Sequence, residues 1–228
     1  MEQKNKIDKR YDFIVWDWDG TIMDSTPTIV ECIQQACRDL GFQEPNDELA
    51  SSVIGLGIQD SLRRAVPWIE PVHFPKLTDR FRYHYLSKDH ELHLFAGIRE
   101  LLEELRADGF LLGVATGKPR VGLDRSLKHH RLERFFHETR TADESFSKPH
   151  PGMLLDLAEV TQVPLRRMLM IGDTTHDLEM AANAGVDAIA VTYGAHPVDT
   201  LKKAKSLAHV HDVPQLMTWL DNNLAVKI

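Results

Sequence analysis

The sequence has few cysteines, no long apolar run and no excess of positive charge. Its two cysteines in 228 residues, Cys32 and Cys37, are five positions apart in a predicted helix. Their side chains point in different directions there, so we expect two free thiols. No apolar run is long enough for a transmembrane helix, and the first residues lack the apolar segment of a signal peptide. We therefore expect a cytoplasmic protein without a membrane segment.

The charge balance excludes some classes of partner. Acidic residues number 34 against 27 Lys and Arg, which gives a formal net charge of −7. This excess argues against nucleic acid or an anionic membrane as the main partner. The 12 histidines are scattered without a zinc-site spacing supported by cysteine, and we predict them at the surface. The sequence gives no indication of the oligomeric state.

Hydrophobic residues make up 43% of the chain, enough for an ordinary core, and their pattern predicts an α/β fold. Helices alternate with apolar runs of strand length in most of the chain. The predicted strands are residues 12–16, 110–115, 137–140, 168–171, 187–191 and 208–210. This alternation predicts a doubly wound, Rossmann-like parallel sheet with right-handed crossovers.

One part of the chain has no strand pattern. Between residues 24 and 92 the sequence predicts a helix from Thr26 to about 40, with Thr26 as its cap, a short helix from Asn46 to about 55, and helices at 58–66 and 73–89. We therefore predict an all-helical block between the first and second strands.

The helical block contains two features that could face the rest of the chain. Gly55-Leu56-Gly57 is a flexible connector and a candidate loop facing the α/β part. Arg63 and Arg64 follow it in the chain. They are either anion contacts or, as is more common, part of a solvated helix face.

The first strand runs directly into Asp17-Trp18-Asp19-Gly20-Thr21. In an extended chain Asp17 and Asp19 point to the same side, and Gly20 allows the chain to turn. Crowding should raise one carboxylate pKa unless a cation intervenes, so that one group stays ionised and the other carries a proton. A surface turn is the simpler alternative. A calcium loop of the EF-hand type fails, because Ile22 and Thr28 occupy its glycine and acid positions.

Other polar groups follow later strands. Thr116 ends the second strand, Asp173 ends the fourth with Asp177 one helical turn further, and Lys148 precedes a helix. The carboxyl ends of parallel strands meet at one edge of the sheet. There a hydroxyl, backbone N–H groups and an ammonium could bind a phosphoryl group, while Asp17 and Asp173 could bind Mg²⁺ with Asp177 supporting them.

These segments together resemble the haloacid dehalogenase superfamily of phosphohydrolases, especially its phosphoglycolate phosphatase-like members. Residues 17–21 match the first motif, DxDGT, and Thr116 and Lys148 match the second and third. Residues 172–177 match the fourth, GDxxxD. The resemblance covers nearly the whole chain. It implies that the helical block is a cap domain at 24–93, that 1–23 and 94–228 form the α/β core domain, and that the hinges lie near 23–24 and 94–97. The chain departs from the pattern at Gly117, where relatives often carry Asn.

The resemblance also implies roles for these residues. Asp17 would attack phosphorus, and Asp19 would protonate the leaving alcohol and then activate water. Lys148 and Thr116 would hold the phosphoryl oxygens. The implied phosphate-binding set is Asp17, Gly20, Thr116, Gly117 and Lys148, and the implied Mg²⁺ set is Asp17, the Asp19 backbone carbonyl, Asp173 and, in support, Asp177.

Three functions remain open from the sequence. The first is a Mg²⁺-dependent phosphatase of a small phosphorylated metabolite, with phosphoglycolate suggested by the resemblance alone. The second is a phosphomutase acting on a sugar phosphate, which would use the same nucleophile and acid. The third is a binder of phosphorylated ligands without catalytic activity, because a fold by itself does not establish activity.

Overall fold

The computed structural model describes residues 9–224 and contains a six-stranded parallel sheet in the order β3-β2-β1-β4-β5-β6. The strands are β1 (Phe13–Trp16), β2 (Leu111–Thr116), β3 (Glu138–Thr141), β4 (Met168–Gly172), β5 (Asp187–Val191) and β6 (His209–Val210). β1 lies in the middle, with Phe13 in register with Leu111 of β2 on one side and with Met168 of β4 on the other. The predicted parallel sheet is confirmed.

Helices connect the strands and form the block between β1 and β2. They are α1 (Thr26–Asp39), α2 (Asp47–Ser51), α3 (Ile58–Ala65), α4 (Phe74–Lys88), α5 (Ile98–Ala107), α6 (Arg120–His129), α7 (Gly152–Thr161), α8 (Thr175–Ala184), α9 (Val198–Leu201) and α10 (Val213–Asn223). Short 3-10 helices lie at Pro71–His73, Asp89–Glu91 and Leu165–Arg167. Within residues 9–224, none of the helices has the length and apolar character needed to cross a membrane.

Both faces of the sheet are covered, as a doubly wound fold requires. Successive side chains of β1 are fully buried and belong to opposite clusters. Ile14 and Trp16 pack in the cluster that includes residues of α5, α6 and α10. Phe13 and Val15 pack in the cluster that includes residues of α7, α8 and α9. β1 is therefore held from both faces as well as from both edges.

The block between β1 and β2 has its own hydrophobic cluster, in which Ile33, Leu62 and Leu77 are buried. Residues 24–92, all of which the structure describes, form helices and turns but no strand, as predicted. Cys32 and Cys37 are both buried free thiols. The separate cluster supports a cap domain, although its limits at 24 and 93 stay a prediction.

The two chain connections between this block and the sheet run side by side. Met23 forms an isolated antiparallel bridge with Leu94, and the Asp24 N–H donates to the His93 carbonyl at 3.0 Å. The Phe95 N–H donates to the Ile22 carbonyl at 3.1 Å. Both predicted hinges therefore lie at one paired junction.

Two helix boundaries differ from the prediction. Ser25, not Thr26, precedes the first residue of α1, and the Ser25 hydroxyl donates to Asp19 Oδ1 at 2.7 Å instead of capping the helix. Asn46 caps α2 as predicted by accepting the Leu49 N–H at 2.8 Å. However, α2 ends at Ser51, because the chain then turns to bring residues 52–57 against the sheet.

Gly113 of β2 provides a test of the central packing. A Cβ at Gly113 would lie 2.5 Å from Phe13 Cζ, in a fully buried ring, and 3.1 Å from the Glu138 carbonyl oxygen. We expect Gly113→Ala to lower the free energy of unfolding by about 1–3 kcal/mol, since overpacking forces neighbours to move. Urea denaturation measures the change.

Gly122→Ala in α6 is the matched control. Its added methyl would meet only Pro119, at an ordinary 3.5 Å. Alanine also favours helix over glycine by roughly 0.5–1 kcal/mol, so this variant should be as stable as the wild type or more so. Equal urea midpoints for the two variants would show that the space beside Phe13 is not limiting.

Candidate active site

The candidate site lies at the carboxyl ends of β1, β2 and β4. From β1 the sheet extends to β2 and β3 on one side and to β4, β5 and β6 on the other. The connections therefore diverge at the end of β1 and leave a crevice there. The Asp17 N–H donates to the Ile171 carbonyl at 2.9 Å, which continues the β1–β4 ladder and fixes Asp17 at the crevice.

A buried lysine joins two of the predicted aspartates. Lys148 Nζ lies 2.5 Å from Asp17 Oδ1 and 2.6 Å from Asp177 Oδ1, and all three side chains are essentially inaccessible to solvent. Carboxylate oxygens of Asp17, Asp173 and Asp177 lie within 4.8 Å of one another. The structure thus brings together four residues from three separate parts of the chain.

Asp173 is held by groups from two other loops. Its Oδ1 accepts the Thr21 hydroxyl at 2.8 Å, and its Oδ2 accepts the Ala195 N–H at 2.6 Å. A Cβ at Gly20 or Gly194 would lie 2.2 Å from Asp173 Oδ2. The two glycines are therefore needed for close approach to this carboxylate. Sequence reasoning assigned no role to Thr21, although it is part of the first motif, and it missed Ala195, whose contact uses only the backbone.

Asp177 has a structural task at the start of α8. It completes a capping box with Thr174, whose N–H and hydroxyl both donate to Asp177 Oδ2, at 3.1 Å and 2.7 Å. Asp177 Oδ1 accepts from Lys148. Because both oxygens have protein partners, the geometry favours Asp177 as a support for Lys148. Direct contact of Asp177 with a metal stays a prediction.

Burial and mutual repulsion shift the pKa values of this cluster. Burial, opposed by the Lys148 charge and reinforced by Asp177 and Asp173, raises the pKa of Asp17 well above its usual value. Burial, followed by repulsion from Asp177, raises the pKa of Asp173 to about 7. Burial alone would lower the pKa of Lys148, but Asp17 and Asp177 outweigh it and the net shift is upward. Lys148 therefore remains an ammonium.

The cluster has the composition of a divalent cation site. Three carboxylates against a single ammonium leave an excess of two negative charges when all are ionised. Asp17 Oδ2 is buried and, among residues 9–224, has no hydrogen-bond partner. A buried carboxylate oxygen without a partner is costly. Oxygen ligands of this kind suit Mg²⁺, so the residues present fit the predicted metal.

Asp19 belongs to a different group of contacts. Its Oδ1 lies 3.0 Å from Lys118 Nζ and accepts the Ser25 hydroxyl, and Lys118 also donates to the Tyr85 hydroxyl at 2.6 Å. Burial lowers the pKa of Lys118, but Asp19 and Tyr85 together raise it above its usual value. The carboxylates that raise the pKa of Asp17 are Asp177 and Asp173. Sequence reasoning had expected this crowding to come from Asp19.

The end of β2 is covered by the loop at 55–57. Thr116 is buried and its Oγ1 accepts the Lys118 N–H at 3.1 Å. A Cβ at Gly117 would lie 2.3 Å from the Leu56 carbonyl oxygen and 2.5 Å from that of Gly55. The Gly57 N–H donates to Ser147 Oγ at 3.1 Å. The predicted loop therefore does face the core, and the absence of a side chain at Gly117 allows it to approach so closely.

Two histidines contact the segment that leads into this loop. His176 Nε2 and His196 Nε2 lie 3.0 Å and 3.1 Å from the Ser52 carbonyl oxygen. His196 is 5% exposed, so the prediction that all histidines lie at the surface is wrong for this residue. The spacing of the histidines in the sequence could not reveal that His196 is buried, because its partner Ser52 is distant in the chain. Burial lowers the pKa of both imidazoles.

The predicted anion contacts in the cap do not form part of the site. Arg63 and Arg64 are exposed on α3. Neither is among the described residues that line the cavity beside Asp19. The alternative interpretation of these arginines, a solvated helix face, is the one that the structure supports.

The fold and this cluster define a doubly wound α/β protein with a carboxylate–lysine site. The family model for haloacid dehalogenase-like hydrolases matches residues 14–191. A phosphoglycolate phosphatase of Aliivibrio fischeri is 30% identical over 190 residues, covering 79% of this chain and 84% of its own. One of Vibrio vulnificus is 32% identical over 217 residues, covering 88% and 94%. The protein belongs to the haloacid dehalogenase-like hydrolase family.

A solved structure agrees with this assignment at the level of the fold. A hydrolase from Pseudomonas syringae superposes with a TM-score of 0.85 at 23% identity, covering 95% of this chain and 100% of that chain. The family model confirms the resemblance expected from the four motifs, and the solved structure confirms the α/β fold.

Gly117 offers a test of how closely the loop at 55–57 packs against the end of β2. We expect Gly117→Ala to displace the Gly55–Gly57 loop, because the new methyl would overlap two backbone carbonyls that cannot rotate away. Overpacking of this kind costs about 1–3 kcal/mol. Hydrogen exchange of the amides at 53–58 should become faster, while β4 amides keep their protection. Unchanged exchange in the loop would contradict the proposed contact.

Proposed function

We propose that the protein is a Mg²⁺-dependent phosphatase that hydrolyses a small phosphorylated metabolite through an aspartyl phosphate on Asp17. The observation that carries this proposal is the convergence of Asp17, Asp173 and Lys148 at one buried point. The phosphoglycolate phosphatases among its relatives support the same reaction class. The partner is accordingly a small phosphorylated molecule.

The first half of the reaction uses Asp17 and Asp19. A carboxylate oxygen of Asp17 attacks phosphorus, and the bond between phosphorus and the alcohol oxygen breaks. The leaving oxygen takes a proton from the Asp19 carboxyl, and the phosphoryl group remains on Asp17. The Asp19 side chain is 10% exposed, whereas that of Asp17 is 1% exposed, so Asp19 faces the side from which an alcohol can leave.

The second half returns the enzyme to its starting state. The Asp19 carboxylate removes a proton from a water molecule, which attacks the phosphorus of the aspartyl phosphate. The bond between phosphorus and Asp17 breaks, and free phosphate leaves. Both halves use the same carboxyl group in opposite protonation states, so the proton balance closes over one turnover.

The remaining residues bind charge. Lys148 stays protonated beside Asp17 and offsets the negative charge that the nucleophile and the phosphoryl oxygens bring together. Thr116 Oγ1, Gly117 and Gly20 are the proposed contacts of the phosphoryl oxygens. Bound at Asp17, Asp173 and the Asp19 carbonyl, Mg²⁺ would neutralise phosphoryl charge. Asp177 holds Lys148 in place.

The helical block at 24–93 is the proposed cap that closes over this chemistry. Its loop at 55–57 contacts Gly117, Ser147 and Thr174 of the core. Closure of such a lid excludes water that would otherwise compete with the reacting groups. The paired connections at Met23 and Leu94 are the proposed hinge.

Replacement of the nucleophile tests the reaction class. We expect Asp17→Asn to reduce release of free phosphate from an aryl phosphate by at least about 10⁴-fold, because an amide cannot form the acyl phosphate. Asp199→Asn, at a side chain 90% exposed on α9, is the control and should keep full activity. Wild-type turnover in Asp17→Asn would end the proposal. Recovery of an isomerised sugar phosphate in place of free phosphate would indicate a phosphomutase.

Metal dependence is tested by activity and by stability. A chelator should abolish turnover, and excess Mg²⁺ should restore it. Mg²⁺ at 100 times its dissociation constant should stabilise the wild type by about 2.7 kcal/mol in thermal unfolding. Asp173→Asn should lose most of this stabilisation, because it removes a proposed ligand, while Asp199→Asn should keep it. Full turnover after removal of divalent cations would contradict the metal's role.

A further inference from the structure

The described structure contains a cavity between the cap and the core that begins at Asp19. It is bounded by α1, α3 and α4 of the cap and by the start of α6 in the core, and its volume is about 190 Å³. Asp19, Lys118 and Tyr85 form its polar end. Asp17 and Lys148 are not among the described residues that line it. The cavity therefore adjoins the proposed acid and not the proposed nucleophile, so it lies where the leaving alcohol of the proposed reaction would take its proton.

The rest of the lining is mostly aliphatic and aromatic. It includes Ile29 and Ile33 of α1, Ile54 from the loop after α2, and Phe81 of α4. Leu86 on the cap and Val121 on the core also line it, although they are 52% and 70% exposed. Large apolar side chains that remain exposed on both sides of a cavity indicate a site for an apolar ligand.

The Lys and Arg side chains at the edge of the cavity each lie beside an acidic residue. Within the described part of the chain, Lys118 lies 3.0 Å from Asp19, Arg82 lies 3.8 Å from Asp79, and Arg125 Nε donates to Asp89 at 2.6 Å. A glycolate carboxylate placed in the largely apolar part of the cavity would lose water without gaining a partner there, which is costly.

The volume indicates the size of the group that would fit. An apolar cavity of about 150 Å³ accommodates one benzene molecule. The cavity beside Asp19 is somewhat larger, at about 190 Å³. It has room for an aromatic ring with one or two further carbon atoms. Glycolate would leave most of this apolar surface unfilled.

We infer that this cavity binds the carbon skeleton of the leaving alcohol, and that the enzyme prefers phosphate monoesters of uncharged apolar alcohols about the size of benzyl alcohol. This inference rests on the proposed phosphatase function and assigns its substrate class. Ile33, Phe81, Leu86 and Val121 select the alcohol. The phosphoryl group is held separately at Asp17 and Lys148. Esters whose alcohol carries a carboxylate are poor substrates.

The test compares three esters whose leaving oxygens are primary alcohols. These are benzyl phosphate, ethyl phosphate and 2-phosphoglycolate, and release of free phosphate gives kcat/KM for each. We expect kcat/KM for benzyl phosphate to exceed the values for both other esters by about tenfold or more. A single methylene group in an apolar pocket already changes kcat/KM by about tenfold. A kcat/KM for 2-phosphoglycolate equal to or above that for benzyl phosphate would overturn the inference.

A pair of variants connects the preference to the cavity. Leu86→Arg places an unpaired guanidinium at the cavity mouth and removes an apolar contact, so it should lower the ratio of benzyl phosphate to 2-phosphoglycolate by about tenfold. Leu155→Arg makes the same change at a side chain 42% exposed on α7, outside the cavity, and should leave the ratio and the basal activity unchanged. Equal ratios in both variants would contradict the assignment of the cavity.

Binding separates failure of this inference from failure of the proposed reaction. Calorimetric titration of Asp17→Asn with each ester in the presence of Mg²⁺ measures affinity without turnover. Tighter binding of benzyl phosphate than of ethyl phosphate supports the cavity assignment, even if the wild type hydrolyses neither ester and the phosphatase proposal fails. Equal affinities together with normal hydrolysis of ethyl phosphate would overturn the cavity assignment and leave the phosphatase proposal intact.

Discussion

The site depends on one buried ammonium held between two carboxylates. Lys148 lies between Asp17 and Asp177 with no exposed side-chain surface. Removing one partner from a buried ion pair typically costs about 3–5 kcal/mol, because the other charge remains buried without compensation. Asp177 in turn caps α8 together with Thr174. The orientation of a helix and the charge of the proposed nucleophile are therefore set by the same contacts.

The charged cluster and the apolar cavity form separate parts of the proposed site. The carboxylates of Asp17 and Asp173 leave negative charge that suits a divalent cation, and Lys148 supplies positive charge beside them. The cavity on the far side of Asp19 is largely apolar. Polar binding is thus concentrated in the core, whereas the cap provides most of the apolar surface. In the proposed reaction, this division would let the same phosphoryl site work with different alcohols, because changes in the cavity lining would leave the charged cluster intact.

Much of the fold was predictable because its signals are local. The buried run of β1, the acidic turn after it and the helical stretch from 24 to 92 can each be recognised within a few residues of sequence. The predictions that failed concern residues whose contacts come from other segments of the chain. Ser25 donates to Asp19 and so leaves α1 without a side-chain cap, and His196 is buried because Ser52 reaches it from the cap.

The sequence by itself determined the parallel α/β fold and the residue types at the strand ends. Hydrophobic periodicity and turn-forming residues can be recognised from neighbouring positions in the chain. Only the tertiary structure decided which charges pair. In the folded chain Lys118 lies against Asp19 and Tyr85. The absence of a side chain at Gly117 allows the loop at 55–57 to approach the core closely. Such pairings depend on distances between segments far apart in the chain, and these distances exist only after the core has packed.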